Sequence, residues 1–329
     1  MKYINKGIAG FLCMVLLVST LSGCGKKVAF SDAYMVYQPV LNEESKDTEK
    51  SGETNFFSDE LCVTPSANIN KDQVKSELCG AAGLFNLDTK EIPYGYHLYK
   101  KMYPASTTKI LTALLAYKYG NLSDVITVSA TAVDLPSGAS SCNLKVGDKL
   151  TLDALLHGLM MESGNDAAIA IAEYVSGSVE KFSALMNDEC KKIGATHSHF
   201  VNPNGLHDKE HYTTVYDLYL IFNEAIKEKK FKKLIHCKSY TCNYKNSDGD
   251  EIETTYKSTN AFLKGEVAPP EDVTILGGKT GTTDDAGRCL VLLSKNKKKE
   301  SVISIVLKAG SSENLYYFMK KILEQFSNL

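Results

Sequence analysis

Three short stretches of this chain carry side chains that could work together in acyl transfer: Ser106-Thr107-Thr108-Lys109, Ser163-Gly164-Asn165 and Lys279-Thr280-Gly281. A serine hydroxyl is a weak nucleophile unless a base lies beside it. Ser106 opens an apolar-striped segment, and on a helix residues i and i+3 share a face, so Lys109 can touch it. A lysine buried in that first turn loses the hydration that stabilises its charge, which lowers its pKa toward a usable range. The helix N-terminus also favours the negative charge of a tetrahedral intermediate. Ser163-Gly164-Asn165 falls in a break between two helical segments, where a hydroxyl and an amide can point into a cleft rather than bond their own helix. Lys279-Thr280-Gly281-Thr282 follows the apolar strand Val273 to Leu276 and the pair Gly277-Gly278. Small residues there would let a ligand backbone lie along a strand edge. Lys279 supplies a positive charge and Thr280 and Thr282 supply hydroxyls, a set that suits a substrate ending in a free carboxylate.

None of these stretches is specific alone. Ser-x-x-Lys recurs at Ser178 and Ser294, and Ser-x-Asn recurs at Ser66, Ser141, Ser258, Ser294 and Ser312. Lys181 would lie on a charged face beside Glu180, and Ser294 opens an exposed polar run to Glu300. Taken singly, Ser106 reads as a helix cap with a surface lysine, Ser163 to Asn165 as a helix-cap turn, and Lys279 to Thr282 as a polar strand end.

The elements that must position these residues follow from periodicity. Ala81 to Leu87 and Ile92 to Tyr96 flank Asp88-Thr89-Lys90 and predict a β-hairpin. Residues 106–119 have helical spacing and stop at Gly120-Asn121. Leu152, Leu155, Leu156, Leu159 and Met160 mark a second helix with Thr151 as its N-cap. Ala167 to Val175, Val179 to Ile193 and Asp217 to Lys227 continue the helical middle. The period then changes: Val273 to Thr280, Cys289 to Ser294 and Ser301 to Leu307 read as strands, and Asn314 to Phe326 as a closing helix. The expected fold class is α+β: one antiparallel β-sheet made from both ends of the chain, flanked by helices, with the inserted helices as a subdomain.

The 329 residues are 43% hydrophobic and 23% charged, ordinary for a globular chain, and the net charge of −2 offers no basic field for nucleic acid. Lys2 and Lys6 precede the apolar run Ile8 to Val18, which ends in Leu21-Ser22-Gly23-Cys24. That is an export signal rather than a membrane span, and its ending resembles a bacterial lipobox in which Cys24 becomes the lipidated first residue. The expected organisation is therefore a signal over 1–24, a flexible tether over 25–75 and a catalytic domain over 76–329. Asn42 to Glu60 is too polar to order itself, and a coil of that tether's length spans roughly 40 Å. Beyond Cys13 and Cys24, the nine cysteines leave Cys62, Cys79, Cys142, Cys190, Cys237, Cys242 and Cys289, an odd set without metal-ligand spacing. Export permits disulfides, and Cys237 and Cys242 are one conceivable pair across a hairpin. His197, His199, His207 and His211 crowd one segment; with no acidic partner at ligand spacing they read as a polar loop, and no metal or cofactor is expected.

Together and in order, the three motifs match the signature shared by class A β-lactamases and penicillin-binding proteins. The wider wording resembles the low-molecular-mass penicillin-binding proteins of the D-alanyl-D-alanine carboxypeptidase family. It comprises Lys101 to Lys109 (KMYPASTTK), Glu162 to Ala168 (ESGNDAA), Phe200 to Leu206 (FVNPNGL), Tyr212-Thr213-Thr214, Asn260, Leu263, Gly278 to Thr282 (GKTGT) and Ala286-Gly287. It runs from about residue 78 to the end of the chain. The resemblance implies a β-lactamase/transpeptidase-like fold and a role for each position. Ser106 would attack the carbonyl between two D-alanines, Lys109 would take its proton, and Ser163 would relay a proton to the leaving D-alanine. Asn165 would bind the substrate amide, Lys279 and Thr282 would hold the terminal carboxylate with Thr280 and Gly281 also in the substrate-binding stretch, and the N–H groups of Ser106 and Thr282 would form the oxyanion hole. The implied partners are a peptidoglycan stem peptide ending in D-Ala-D-Ala, β-lactams as covalent inhibitors, and a membrane reached through the N-terminal lipid on the outer face of a bacterial cell. Larger family members carry an extra C-terminal β-domain and membrane helix; here about fifty residues follow the third motif, and the N-terminal lipid is expected to replace that anchor.

Three other readings share parts of this pattern. A class A β-lactamase needs a deacylating Glu in a loop after the second motif, and residues 195–206 contain none, having Asn202-Pro203-Asn204-Gly205 instead. A D-Ala endopeptidase acting on cross-links shares all three motifs. A non-catalytic, β-lactam-sensing or wall-binding lipoprotein is disfavoured by the intact Ser106, Lys109 and Lys279.

Overall fold

The computed structural model describes residues 57–64 and 66–329. The expected export signal with Cys24, and residues 25–56 of the expected tether, lie outside the described residues. The chain enters the main sheet with β1 (Ala81–Asn86) and β2 (Tyr94–Tyr96). It then builds a helical layer: α1 (Lys109–Tyr119), the short β3 (Val125–Thr127), α2 (Ala130–Val133), β4 (Lys149–Thr151), α3 (Leu152–Met161), α4 (Asn165–Ser176), α5 (Val179–Lys192), α6 (Val215–Ala225) and α7 (Lys229–His236). A hairpin of β5 (Ser239–Lys245) and β6 (Glu251–Lys257) and a turn of helix, α8 (Ala261–Lys264), lead back to β7 (Thr274–Thr283), β8 (Gly287–Lys295), β9 (Ser301–Ala309) and α9 (Ser312–Phe326).

The main sheet is antiparallel with strand order β2-β1-β9-β8-β7, so the first and last strands of the domain meet as expected. Its central strands are buried on both faces. Leu290 and Leu292 of β8 and Val302 and Val306 of β9 pack with Phe318, Met319, Ile322 and Phe326 of α9. Their alternates Val291, Leu293, Ile303, Ile305 and Leu307 pack with the helical layer. Burial on both faces explains why these strands read as continuous apolar runs rather than alternating ones, and each such side chain contributes roughly 1.5–3 kcal/mol. β7 is an edge strand, paired among the described residues only with β8, and it packs against α7.

Helix boundaries agree with the sequence to within a few residues, and the predicted cap holds: Thr151 Oγ1 accepts from Ala154 N at 3.2 Å. Several expectations need correction. A second sheet, β3-β4-β5-β6, was not foreseen. Nor was α7, whose Phe231, Leu234 and Ile235 form a narrow buried stripe among lysines. Ser294 is not in an exposed run: it is fully buried in β8 and donates to Val302 O. Cys237 lies just after α7 and Cys242 within β5, so they do not face each other across the hairpin, and all seven described cysteines are free thiols. Ordered packing also begins before residue 76. Cys62 is fully buried, its N–H donating to Tyr219 Oη at 2.8 Å, and Ile69 bridges Gly95 beside β2.

Candidate active site

Ser106 sits in a 3-10 turn, Ala105–Thr108, that runs straight into α1, so Lys109 is the first residue of the helix proper. The turn is held from three sides. Ala105 has a left-handed backbone, φ 47°, a conformation costly for a residue with a Cβ. Thr108 Oγ1 lies 2.8 Å from His211 Nε2. His211 Nδ1 accepts from Val201 N, which leaves Nε2 as the donor of a neutral ring. Burial agrees, pushing the His211 pKa down to about 3. Beneath the turn, Thr112 Oγ1 donates to Pro203 O at 2.6 Å. Gly205, at φ 83°, packs so closely that a Cβ would overlap the Ala105 carbonyl.

Lys109 has no solvent exposure. Its Nζ lies 3.0 Å from Ser106 Oγ, 2.7 Å from Asn165 Oδ1 and 2.6 Å from the Asn204 carbonyl oxygen. Burial first, and then the nearby Lys279 amine, push its pKa well below the ordinary lysine value.

Ser163 stands between α3 and α4, again in a left-handed conformation at φ 60°. Asn165 opens α4, and its N–H donates to Ser140 O at 2.9 Å. The adjacent Asp166 is fully buried; its carboxylate accepts from the Ser141 hydroxyl at 2.6 Å and from Cys142 N and Leu144 N at 2.9 and 3.1 Å. That carboxylate ties loop 140–144 to the start of α4.

On β7, Lys279 and Gly281 face the helical layer and Thr280 faces away, as strand alternation requires. Lys279 Nζ donates to Ser163 Oγ at 3.0 Å and to Thr280 O at 2.9 Å, and burial lowers its pKa to about 7. Thr280 Oγ1 meets Thr259 Oγ1 at 2.6 Å. Gly281 is small because the nucleophile turn is there: a Cβ would sit 3.0 Å from Ser106 N. The Gly277-Gly278 pair does a different job from the one expected. A Cβ on Gly277 would overlap the Ile235 carbonyl of α7, and one on Gly278 the Val291 carbonyl of β8, so protein backbone rather than a ligand fills that space.

The three stretches thus meet at a cleft of about 410 Å³ lined by Ser106, Ser140, Asn165, Leu206, Thr282 and Asp285 among others. A hydroxyl beside a pKa-lowered amine, a second hydroxyl on a second amine and the Thr282 end of β7 lining the cleft form a set able to carry acyl transfer. Among the other Ser-x-x-Lys and Ser-x-Asn sites, Ser178 caps α5, Ser141 binds Asp166 and Ser258 Oγ accepts from Asn260 N. Periodicity did not signal the Asn204 carbonyl or the part played by Asp166, because a main-chain oxygen has no sequence signature and Asp166 reads as an ordinary first-turn acid. The histidines do not converge. His211 braces the nucleophile turn, His207 Nδ1 lies 3.4 Å from Asp285, and His199 Nδ1 lies 2.6 Å from Glu210 O.

Residues 67–311 match the family model described as D-alanyl-D-alanine carboxypeptidase, peptidase S11. The D-alanyl-D-alanine carboxypeptidase DacF of Bacillus subtilis is 31% identical over 273 residues, covering 80% of this chain and 67% of that protein. DacC of Escherichia coli, of the same description, is 33% identical over 234 residues, covering 68% of this chain and 55% of that protein, so the match spans little more than half of its length. The crystal structure of the Streptomyces K15 DD-transpeptidase superposes with a TM-score of 0.71 at 27% identity, covering 81% of this chain and all of that one. This chain belongs to the D-alanyl-D-alanine carboxypeptidase family of serine peptidases, S11.

Proposed function

We propose that this chain is a serine-type D-Ala-D-Ala carboxypeptidase that removes the terminal D-alanine from peptidoglycan stem pentapeptides through an acyl-enzyme on Ser106. The observation that carries the reading is the buried Lys109 amine, 3.0 Å from Ser106 Oγ with its pKa driven down. A neutral amine there accepts the Ser106 proton as Oγ bonds the carbonyl carbon between the two D-alanines. The Ser106 and Thr282 N–H groups are the proposed oxyanion donors; the closeness of Gly281 to Ser106 N supports it by bringing β7 against that turn. The C–N bond then breaks, and the departing D-alanine amine takes the proton that Lys109 accepted, relayed through Ser163, which Lys279 holds in place; Lys109 is then neutral again to take a proton from the attacking water and return it to Ser106. Lys279 in its charged form, with Thr282, binds the terminal carboxylate, the Thr280 carbonyl steadies the Lys279 amine, and Asn165 binds the substrate amide. Water attacks the ester, Ser106 recovers its proton, and no cofactor takes part.

A β-lactam would acylate the same hydroxyl and leave slowly. The 200–206 loop offers Lys109 a carbonyl, not a carboxylate that could activate water. This favours the peptidase over a class A-like β-lactamase. Release of D-alanine from a pentapeptide ending in D-Ala-D-Ala tests the proposal: wild type releases it and Ser106→Ala does not. A wild-type protein that releases none removes the carboxypeptidase reading.

We also propose that Cys24 carries a lipid holding the domain at the extracytoplasmic face of the bacterial membrane, on the strength of Lys2, Lys6, the apolar run and Leu21-Ser22-Gly23-Cys24. Cys24→Ala is expected to move the protein from the membrane to the soluble fraction of cells. Unchanged membrane retention overturns the anchor.

A further inference from the structure

A second, larger cleft of about 840 Å³ is lined by the segment that leads into the nucleophile. Lys100 to Tyr103 line it, and three residues further on that segment reaches Ser106. Met102 is held by paired main-chain hydrogen bonds with Thr213, which anchor this segment. Tyr103 faces this cleft, and its ring meets the edge of His207, which faces the cleft at Ser106, at 4.7 Å. A chain lying across that ring pair touches both.

The chemistry of this cleft is mixed in a particular way. Its rim carries four exposed ammonium groups, Lys100, Lys101, Lys209 and Lys308, and two exposed carboxylates, Glu77 and Glu210. That is a local excess of positive charge on a chain whose formal net charge is −2. The floor is apolar, with buried Cys79 and Met102 and with Gly80, where a Cβ would overlap the Met102 methyl group. Lys101 Nζ sits 3.9 Å above the Tyr212 ring. Asn314 also lines the cleft, in the first turn of α9, with its own N–H taken by the Ser311 cap. A uniform polyphosphate would meet repulsion at Glu77 and Glu210. A peptide that carries both carboxylates and a free amine would find partners for each.

We propose that this second cleft binds a neighbouring stem peptide of the same wall polymer, through its carboxylates and free amine, while Ser106 acts on another. The inference deepens the carboxypeptidase reading and rests on it for its biological meaning, but the binding is measurable without turnover. The probe is a stem tripeptide with two carboxylates and one free amine, lacking the D-Ala pair, titrated calorimetrically into the Ser106→Ala protein. Lys209→Glu with Lys308→Glu is expected to weaken its binding about tenfold, while Lys209→Arg with Lys308→Arg retains it. In active protein the charge-reversed pair is expected to lower kcat/KM on linked stem peptides by a similar factor and leave the free pentapeptide within about twofold. No tripeptide binding, binding indifferent to charge reversal, or tighter binding of a glycerol-phosphate polymer than of the peptide overturns the proposal. If the wild type releases no D-alanine from any substrate, the carboxypeptidase reading fails and the titration still decides the cleft.

Discussion

The Asn204 carbonyl oxygen lies 2.6 Å from Lys109 Nζ, and this contact bears on which protonation state of the lysine the site accommodates. Asn204 O and Asn165 Oδ1 are both carbonyl oxygens that can only accept, and both are within 2.7 Å of the amine. A neutral amine has two N–H groups and one lone pair. With both N–H groups taken, the lone pair is left for Ser106, whose O–H can donate across the 3.0 Å gap. Lys279 is arranged differently: two of its three ammonium protons go to Ser163 Oγ and Thr280 O, and the third remains for an incoming carboxylate. Two buried amines with opposite tasks are thus set side by side.

This division predicts the pH dependence. Lys109 must be neutral, so kcat/KM rises with pH as its depressed pKa is crossed. Lys279 must be charged to hold the carboxylate, so kcat/KM falls again as pH passes about 7 in the free enzyme. Bound carboxylate favours the charged form, so the alkaline limb of kcat lies higher than that of kcat/KM. Lys279→Arg keeps its charge and is expected to move the alkaline limb of kcat/KM upward, even at a lower maximum. Initial rates across the pH range for wild type and variant check this. An unmoved alkaline limb removes Lys279 as its cause.

The same burial costs stability. The folded Lys279 pKa is about 7 against 10.5 for a free side chain. Between those values the unfolded chain binds more protons, so this group makes the native state gain stability as pH rises through that window and penalises it below. Lys279→Met is therefore expected to be more stable than wild type by about 1–4 kcal/mol near neutral pH while losing activity. The gap should narrow as pH rises toward 10.5. Urea unfolding at two pH values measures it, and a variant less stable than wild type near neutrality contradicts the account.

Asp166 holds loop 140–144 against the start of α4 through three outside donors. Asp166→Ala leaves buried N–H groups unpaired and is expected to cost about 2–4 kcal/mol. It should also slow penicillin acylation at temperatures where the protein stays folded, because the Asn165 N–H bonds Ser140 in that loop. Denaturation midpoints and acylation rates measured together check both parts.

Sequence legibility followed the physics of each element. β8 and β9 declared themselves because strands buried on both faces are apolar throughout. β3 and β4 did not, since three residues with one buried position each leave no period to read. α7 was hidden because four lysines surround its narrow stripe. At the site, side chains with their own motif were readable: Lys109 hydrogen-bonds Ser106 and Asn165, and Lys279 hydrogen-bonds Ser163. What supports them was not readable. The Asn204 carbonyl, the neutral His211 brace and the left-handed Ala105 and Ser163 depend on main-chain placement that residue identity does not encode. The Gly277-Gly278 pair was misread for a related reason: a glycine signals close approach, not what approaches.

The most direct test of the central claim is where a penicillin becomes attached. Purified protein treated with penicillin, digested and analysed by mass spectrometry is predicted to carry one acyl adduct, on the peptide containing Ser106, formed far more slowly when Lys109 is replaced by Ala. No adduct, an adduct on another serine, or an unchanged rate in Lys109→Ala contradicts the assignment of Ser106 as nucleophile and Lys109 as its base.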